Sequence, residues 1–291
     1  MDDQKLYILG DGDSDTFISN EKINKLLDDY HEGNRSCRHG VSLTRLSFPT
    51  KEFETVFKEV LDMCSDITAL QLFSHNSLAA LSLFISPFVH ITCLEFKAGT
   101  LFPESINPFL ATLGTNKKLV SLTFISTSMD ESSGVILGAA LTVNTCLERL
   151  TLMYEPMGSD GKGIDHVAQG LLRNTTLTHL TVLETLDSWV ISEPAFESLR
   201  RNRGITHMRL NSAFRIFKSL RKTFVAELIT GNTTLASLDI GFGDFLSAFT
   251  TDLAKALSVN DTLEEFVFRD GNIHPEDIDN IFGAIADNPR C

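Results

Sequence analysis

The hydrophobic positions of this 291-residue chain follow one short pattern from residue 43 onward. An apolar residue is followed three and five positions later by two more, and the polar residue between the last two gives the alternation typical of a β-strand. Successive copies begin 24 to 30 residues apart. The nine copies predict nine strands of one repeated unit, and they begin at Leu43, Ile67, Ile91, Leu119, Leu147, Leu177, Ile205, Leu235 and Leu263.

A second marker keeps the same interval. An asparagine stands three residues before most copies and recurs once after the last, at positions 116, 144, 174, 202, 232, 260 and 288. Apolar residues at helical spacing precede it, for example Val135, Leu137 and Leu141. Because Asn tolerates the left-handed backbone that ends many helices, we interpret it as a C-terminal helix cap. Each unit is therefore predicted to be strand, loop, helix and Asn turn.

These features resemble leucine-rich repeats of the ribonuclease-inhibitor type. The resemblance rests on the strand pattern, on units of about 28 residues, and on helix ends of the form Leu-x-x-Asn-Thr-x-Leu, as in residues 171–177. It implies an α/β solenoid with an inner parallel sheet and outer helices. Strands are about 4.8 Å apart whereas packed helices need 8–10 Å, so the stack should curve into a horseshoe. One departure is that the family's Asn or Cys three residues after the last strand position is missing, so the loops there are expected to be less regular.

The chain divides into two predicted parts. Residues 1–42 form an N-terminal cap with a strand at Leu6–Leu9 and an amphipathic helix, and residues 43–291 form nine repeats in a single continuous domain. The longest apolar stretch, residues 77–89, is too short to span a membrane. The five cysteines are odd in number and contain no CxxC, which favours a reducing compartment. We expect a cytoplasmic protein or, by resemblance to leucine-rich-repeat effectors of intracellular bacteria, one translocated into a host cytosol without a Sec signal.

The formal net charge is −13, and the excess of acids lies in residues 1–34 and 239–291. Nucleic-acid binding relies on neutralising phosphates with Lys and Arg, so no nucleic-acid partner is expected. Acidic ends would instead steer a basic partner and raise its association rate at low salt.

The concave face is the predicted interaction surface. In each strand, the residue before the second apolar position and those on either side of the third should point to it. Ile125, Met153 and Leu183 fall side by side there, with Tyr154 beside them, and an exposed apolar patch often marks a protein partner. The alternative is that such residues simply favour sheets. The candidate partner-binding residues are Phe73, Glu95, Lys97, Ile125, Arg149, Met153, Tyr154, His179, Leu183, His207, Arg209, Asp239 and Phe242.

No catalytic constellation emerges from the sequence. The acidic segment 10–15 lacks the Gly and Glu positions of an EF-hand and is interpreted as a capping turn. Cys93 and His179 should lie three strands apart, about 14 Å, beyond hydrogen-bond reach. His179 and His207 are neighbours that could share a metal, yet no third ligand is near them. Eight basic residues between 198 and 226 suggest either a solvated face or a site for an acidic partner or lipid. No metal or cofactor is predicted.

The leading hypothesis is a non-catalytic module that binds a partner protein on its concave face. Resemblance to ribonuclease inhibitor implies inhibition of an enzyme by covering its active site. The alternatives are a bacterial effector that acts as a host-protein adaptor and, less favoured, a GTPase-activating or metal-dependent enzyme.

Overall fold

The computed structural model describes residues 5–9, 42–44, 69–73, 91–97, 103–125, 130–154, 162–184, 192–212, 223–241, 247–269, 275–286 and 288. The described strands are β1 (Lys5–Leu9), β2 (Ser42–Thr44), β3 (Ala69–Phe73), β4 (Cys93–Lys97), β5 (Ser121–Ile125), β6 (Arg149–Tyr154), β7 (His179–Glu184), β8 (His207–Ser212), β9 (Ser237–Gly241) and β10 (Glu265–Arg269). The described helices are α1 (Pro103–Thr112), α2 (Glu131–Val143), α3 (Lys162–Leu171), α4 (Glu193–Arg201), α5 (Phe224–Gly231), α6 (Ser247–Val259) and α7 (Pro275–Ala286).

The described strands form one parallel sheet in the order β10-β9-β8-β7-β6-β5-β4-β3-β1-β2. From β3 to β10 each strand pairs with the next along the chain, and the register aligns equivalent positions of the repeat, so that Leu122 pairs with Leu150 and Leu150 with Leu180. Helices alternate with strands from β4 onward. The predicted α/β leucine-rich-repeat solenoid is thereby confirmed.

The N-terminal strand has an unexpected place in this order. β1 pairs with β3 on one side and with β2 on the other, so β2 lies at the edge of the described sheet. Its register sets Leu6 against Leu70 and Ile8 against Leu72, which are strand positions of the repeat. β1 therefore continues the register of the repeated strands across the sheet. Its apolar residues alternate with the same period of two.

The hydrophobic core lies between the sheet and the helices. Leu122 and Phe124 on β5 are buried whereas Ser121, Thr123 and Ile125 are half-buried, which is the alternation expected of a strand with helices on one face. Phe124 stacks on Phe96 of β4 at a centroid distance of 5.0 Å. The same side chains recur from repeat to repeat, so the core is a continuous column and not a set of separate clusters.

The asparagines do not take the predicted left-handed backbone. Asn144, Asn202 and Asn232 have φ of −69°, −60° and −97° with ψ between 128° and 142°, which is extended backbone. These three asparagines cap the ends of their helices as predicted, each donating its backbone N–H to a carbonyl of the last turn, but the expected left-handed backbone was wrong. The physical reason is that the side-chain amides bind backbone groups of the turns and hold the chain extended there.

The side chains form an asparagine ladder, which we define as Asn144, Asn174, Asn202, Asn232, Asn260 and Asn288. Asn202 illustrates it: its Nδ2 donates to the carbonyls of Leu171 (2.5 Å) and Asn174 (2.8 Å), and its Oδ1 accepts from the amides of Gly204 (2.8 Å) and Ile205 (2.7 Å). From Asn144 to Asn260, each amide oxygen accepts from the turn of its own repeat, and throughout the ladder each amide nitrogen donates to a carbonyl of the repeat before. A buried amide so fully paired is stable, whereas an unpaired one would be costly.

Helices α2 and α3 approach each other unusually closely. A Cβ atom added to Gly138 would lie 2.3 Å from the carbonyl oxygen of His166, and one added to Gly134 would lie 2.1 Å from that of Gly163. Only glycine fits such backbone contact. Thr142 Oγ1 lies within reach of two carbonyls, that of Gly138 in its own helix at 2.9 Å and that of Gly170 on α3 at 3.4 Å.

Candidate functional site

The candidate site is the sheet face that turns away from the helices, which in a curved solenoid is the concave face. Equivalent positions on neighbouring strands stand beside each other there, at the strand spacing of about 4.8 Å. The register therefore decides which of the predicted residues meet.

The apolar patch consists of Ile125, Met153 and Leu183. Ile125 is in register with Met153, and Met153 with Leu183, on β5, β6 and β7. All three side chains are half-buried, so part of each remains accessible. Thr123, Thr151 and Thr181 occupy the neighbouring column of the same strands.

The basic row consists of Arg149, His179 and His207, on β6, β7 and β8. These residues are in register with each other. The two imidazole rings stack face to face, with their centroids 4.3 Å apart and their planes inclined by only 7°. Sequence analysis recognised the neighbours but not the stacking.

A threonine before each histidine fixes the ring. Thr178 Oγ1 lies 2.9 Å from Nδ1 of His179, and Thr206 Oγ1 lies 2.9 Å from Nδ1 of His207. Each hydroxyl also donates to a carbonyl of the preceding repeat, that of Glu148 (3.2 Å) and that of Thr178 (3.3 Å). Each carbonyl also accepts two backbone N–H groups, and the tautomer of each neutral ring sets whether Nδ1 donates to the hydroxyl or accepts from it. The Thr-His pair recurring at one register position was the signal available in the sequence.

The pKa of His179 is lowered from its ordinary value. The largest cause is burial, followed by repulsion from His207 and Arg149, while Glu148 opposes these effects. The neutral imidazole is therefore favoured in the unbound protein near neutral pH.

A charge cluster lies beside the basic row on β8, β9 and β10. Asp239 is 14% exposed and lies between two guanidinium groups: Arg269 Nε donates to its Oδ1 at 2.9 Å, and Arg209 Nε forms an ion pair with Oδ2 at 3.2 Å. In the next column, Ser237 Oγ donates to Glu265 at 2.6 Å. Both acids on this part of the face thus have polar partners.

The histidine pair and Cys93 do not come together with further metal ligands or with each other among the described residues. No group of three or more His, Cys, Asp or Glu side chains could hold a metal ion in that part of the chain. The lone pairs of His179 and His207 lie in nearly parallel ring planes, so in this conformation they cannot converge on one ion. Cys93 and His179 are separated by β5 and β6 in the sheet.

The structure describes the remaining candidate partner-binding residues only in part. Glu95 is half-buried on β4, in register with Thr123 of β5. The backbones of Phe73, Lys97 and Tyr154 take the expected strand positions, but their side chains are outside the described part of the structure. Phe242, Trp189 and the acidic segment 10–15 lie outside the described residues altogether, as do the loops that follow the strands.

The basic run between 198 and 226 is partly accounted for by one acid just before it. Glu197 binds Arg200 through two hydrogen bonds of 2.7 Å and also pairs with Arg201. Arg203 donates to the carbonyls of Arg200 and Gly231. These three arginines lie at the end of α4 and serve local structure there. This supports the interpretation as a solvated face for the described portion of the run.

Comparison with known proteins assigns the chain to no family. The sequence matches no protein-family model, and no curated protein matches it. Among solved structures, it is similar to a crystal structure of a TLR13–ssRNA13 complex, with a TM-score of 0.43 and 10% sequence identity. The match covers 85% of this chain and 37% of that chain. Within the described residues, the helices are too short or too polar to cross a membrane.

Proposed function

We propose that this protein is a non-catalytic interaction module that binds a partner protein on its concave face. The observation that carries the proposal is the apolar patch on a sheet face without helices. Solenoids of this architecture offer their concave surfaces to partners.

The surroundings of the patch support a protein partner. Protein interfaces combine an apolar centre with a polar rim, and a few central residues supply most of the binding energy. Here the patch has a threonine column on one side, and beyond it the basic row. Because the three side chains are already half-buried, they lose less conformational entropy when a partner covers them than fully exposed side chains would.

The finer form of the proposal is that the bound partner is an enzyme whose active site becomes covered. A host-protein adaptor would use the same face but leave its partner active. Measuring the activity of the captured partner, free and in the complex, separates these two forms.

The test uses the double variant Met153→Asp/Leu183→Asp. Its matched control is Val143→Asp/Leu172→Asp, which adds the same two charges at apolar positions on the helix side that are 60% and 42% exposed. Partners captured by the wild-type chain are identified by mass spectrometry, purified, and titrated against all three proteins by calorimetry. Circular dichroism and thermal unfolding verify that the variants fold.

We expect the patch variant to bind the purified partner at least about tenfold more weakly than the wild type, because two charges would be buried against an apolar surface. The control should bind like the wild type. Equal affinity of wild type and patch variant would contradict the proposal.

A further inference from the structure

The middle strands of the concave face carry basic side chains although the whole chain is acidic. The chain carries −13, yet the basic row of Arg149, His179 and His207 runs across three adjacent strands of the face. The row is bordered by Ser121 on β5 and Ser237 on β9, both uncharged. A partner facing these strands meets nitrogen donors and acceptors instead of carboxylates.

The described charged side chains near the basic row lie on its own strands and on the strands packed beside them. Glu148 precedes Arg149 and is exposed. On β8 and β9, Arg209 and Asp239 are paired with each other, and Asp239 is also held by Arg269 of β10. Glu265 lies two strands from His207 and accepts from Ser237. On the opposite face of the sheet, the row is backed by buried apolar residues such as Leu180 and Met208.

Protonation changes what each histidine ring offers to a ligand. With Nδ1 of each ring bound to a threonine hydroxyl, the ring's other nitrogen, Nε2, is left for a ligand. In the neutral ring the role of this atom depends on the tautomer, whereas in the protonated ring it is always a donor and the ring carries a positive charge. A charge-assisted hydrogen bond to a carboxylate is about twice as strong as a neutral one.

We propose that the basic row binds an acidic segment of the partner protein through its Asp or Glu carboxylates, and that this binding tightens as the pH falls from 7.5 to 5.5. The inference rests on the proposed function, since it names the chemistry of the partner on the same face. Carboxylates one helical turn apart are about 5–6 Å from each other, close to the strand spacing of about 4.8 Å, so successive acids on a helix match successive members of the row.

The direction of the pH effect follows from the unbound protein. Burial, the neighbouring imidazole and Arg149 lower the pKa of His179, so the neutral form of His179 is favoured near neutral pH. A bound carboxylate stabilises the protonated form and raises this pKa. Binding therefore takes up protons, and each proton taken up strengthens binding by up to about tenfold per pH unit.

The experiment is a selection from a random 12-residue peptide library, displayed on phage, against the full chain at pH 5.5. Selected peptides are synthesised and titrated at pH 7.5 and 5.5 at one salt concentration. The variants are His179→Asn/His207→Asn, which keeps a donor near the Nδ1 position but does not titrate, and Arg149→Gln. The matched control is His166→Gln, because His166 lies on α3 near Glu131 and away from the sheet face.

We expect the selected peptides to be rich in Asp and Glu and to bind about tenfold more tightly at pH 5.5 than at pH 7.5. The double histidine variant should lose this pH dependence, Arg149→Gln should weaken binding at both pH values, and His166→Gln should change nothing. A pool without acidic enrichment, a failure to select any peptide, or unchanged pH dependence in the double variant would overturn the inference. Displacement of the peptides by poly(U) at the same salt would also overturn it, in favour of a nucleic-acid site.

The outcomes separate this inference from the proposed function. If selection fails while Met153→Asp/Leu183→Asp still abolishes partner capture, protein binding stands and only the acidic chemistry is lost. If acidic peptides bind the basic row while the patch variant captures the partner normally, the apolar patch is not the partner-binding surface. Binding of acidic segments by the basic row is then retained.

Discussion

The repeats in the middle of the chain and the repeat at residues 263–288 share one sequence pattern but are packed differently. On β5, the inward-facing Leu122 and Phe124 are fully buried. On β10, the equivalent Phe266 and Phe268 are only half-buried, and Phe282 of α7 is 65% exposed. Within the described structure, β10 pairs only with β9.

The difference teaches that a repeat of this fold does not complete its own core. A residue in an inward column is covered by the same residue of the units on both sides, so burial depends on position in the stack as much as on residue type. Substitutions of equal chemistry in the two regions should therefore have unequal effects.

The largest difference is expected for phenylalanine. Phe124→Ala should lower the free energy of unfolding by about 3–5 kcal/mol because it leaves a cavity in a close-packed column. Phe268→Ala should cost about half as much, since its site is already partly hydrated. Chemical denaturation combined with hydrogen exchange checks this, because exchange reports each repeat separately. Equal losses would show that β10 is as well packed as β5.

The asparagine ladder offers the second comparison. Asn202 is fully buried and makes four hydrogen bonds to backbone groups, so Asn202→Ala should destabilise by about 3 kcal/mol through unpaired buried groups. Asn260→Ala should cost about 1–2 kcal/mol, because this side chain is half-buried and water can replace it. Urea unfolding curves of the two variants give the difference. A cost for Asn260→Ala as large as for Asn202→Ala would show that burial does not govern the ladder.

The third comparison concerns two glycines, at which substitution by alanine should change the free energy of unfolding in opposite directions. Gly138→Ala forces a Cβ against the backbone of α3 and should destabilise by about 1–3 kcal/mol. Around Gly283 in α7, a Cβ would meet nothing within 4 Å, so Gly283→Ala should stabilise by about 0.5–1 kcal/mol through helix propensity. Thermal unfolding of both variants decides this. Stabilisation by Gly138→Ala would mean that α2 and α3 are further apart than the structure has them.

The smallest difference concerns pH. His179 belongs to the middle region, and its lowered pKa means that the unfolded chain binds a proton more readily than the folded chain. Stability from this group is full above the unfolded value of about 6.5 and is lost as the pH falls through it. His179→Asn should therefore make the free energy of unfolding fall less between pH 7.5 and 5.5. His166→Gln is the control, and an identical pH slope for His179→Asn and wild type would argue against the burial that lowers this pKa.

Much of the fold follows from local pattern. The strand positions, the alternation with helices and the parallel solenoid are predicted because the period-two and helical spacings are properties of the chain itself. The placement of β1 between β3 and β2 is not, since pairing partners of equal pattern compete and sequence order alone does not choose among them. The helix-capping asparagines were predicted, but their side-chain hydrogen bonds to the preceding repeat were missed, because a turn residue and a ladder residue look alike in one dimension.

The candidate site was likewise predicted from the sequence only in part. The columns that bring Ile125, Met153 and Leu183 together follow from counting along the repeat, and the register shows them side by side. The stacking of the imidazoles and the Arg209–Asp239–Arg269 cluster required side-chain geometry. Overall charge favoured a basic partner, whereas the basic row favours an acidic one, because net charge sums over surfaces that a partner never meets.

By itself, the sequence determined the repeat, the periodicity of its elements and the residues that share a column, since these depend only on spacing along the chain. The tertiary structure decided the order of the N-terminal strands, the hydrogen bonds of the asparagine ladder, the glycine contact between α2 and α3, and the orientation of the histidine pair. Each of these depends on atoms of neighbouring repeats, roughly one repeat length apart in sequence. Their distances and angles are set only when the repeats stack.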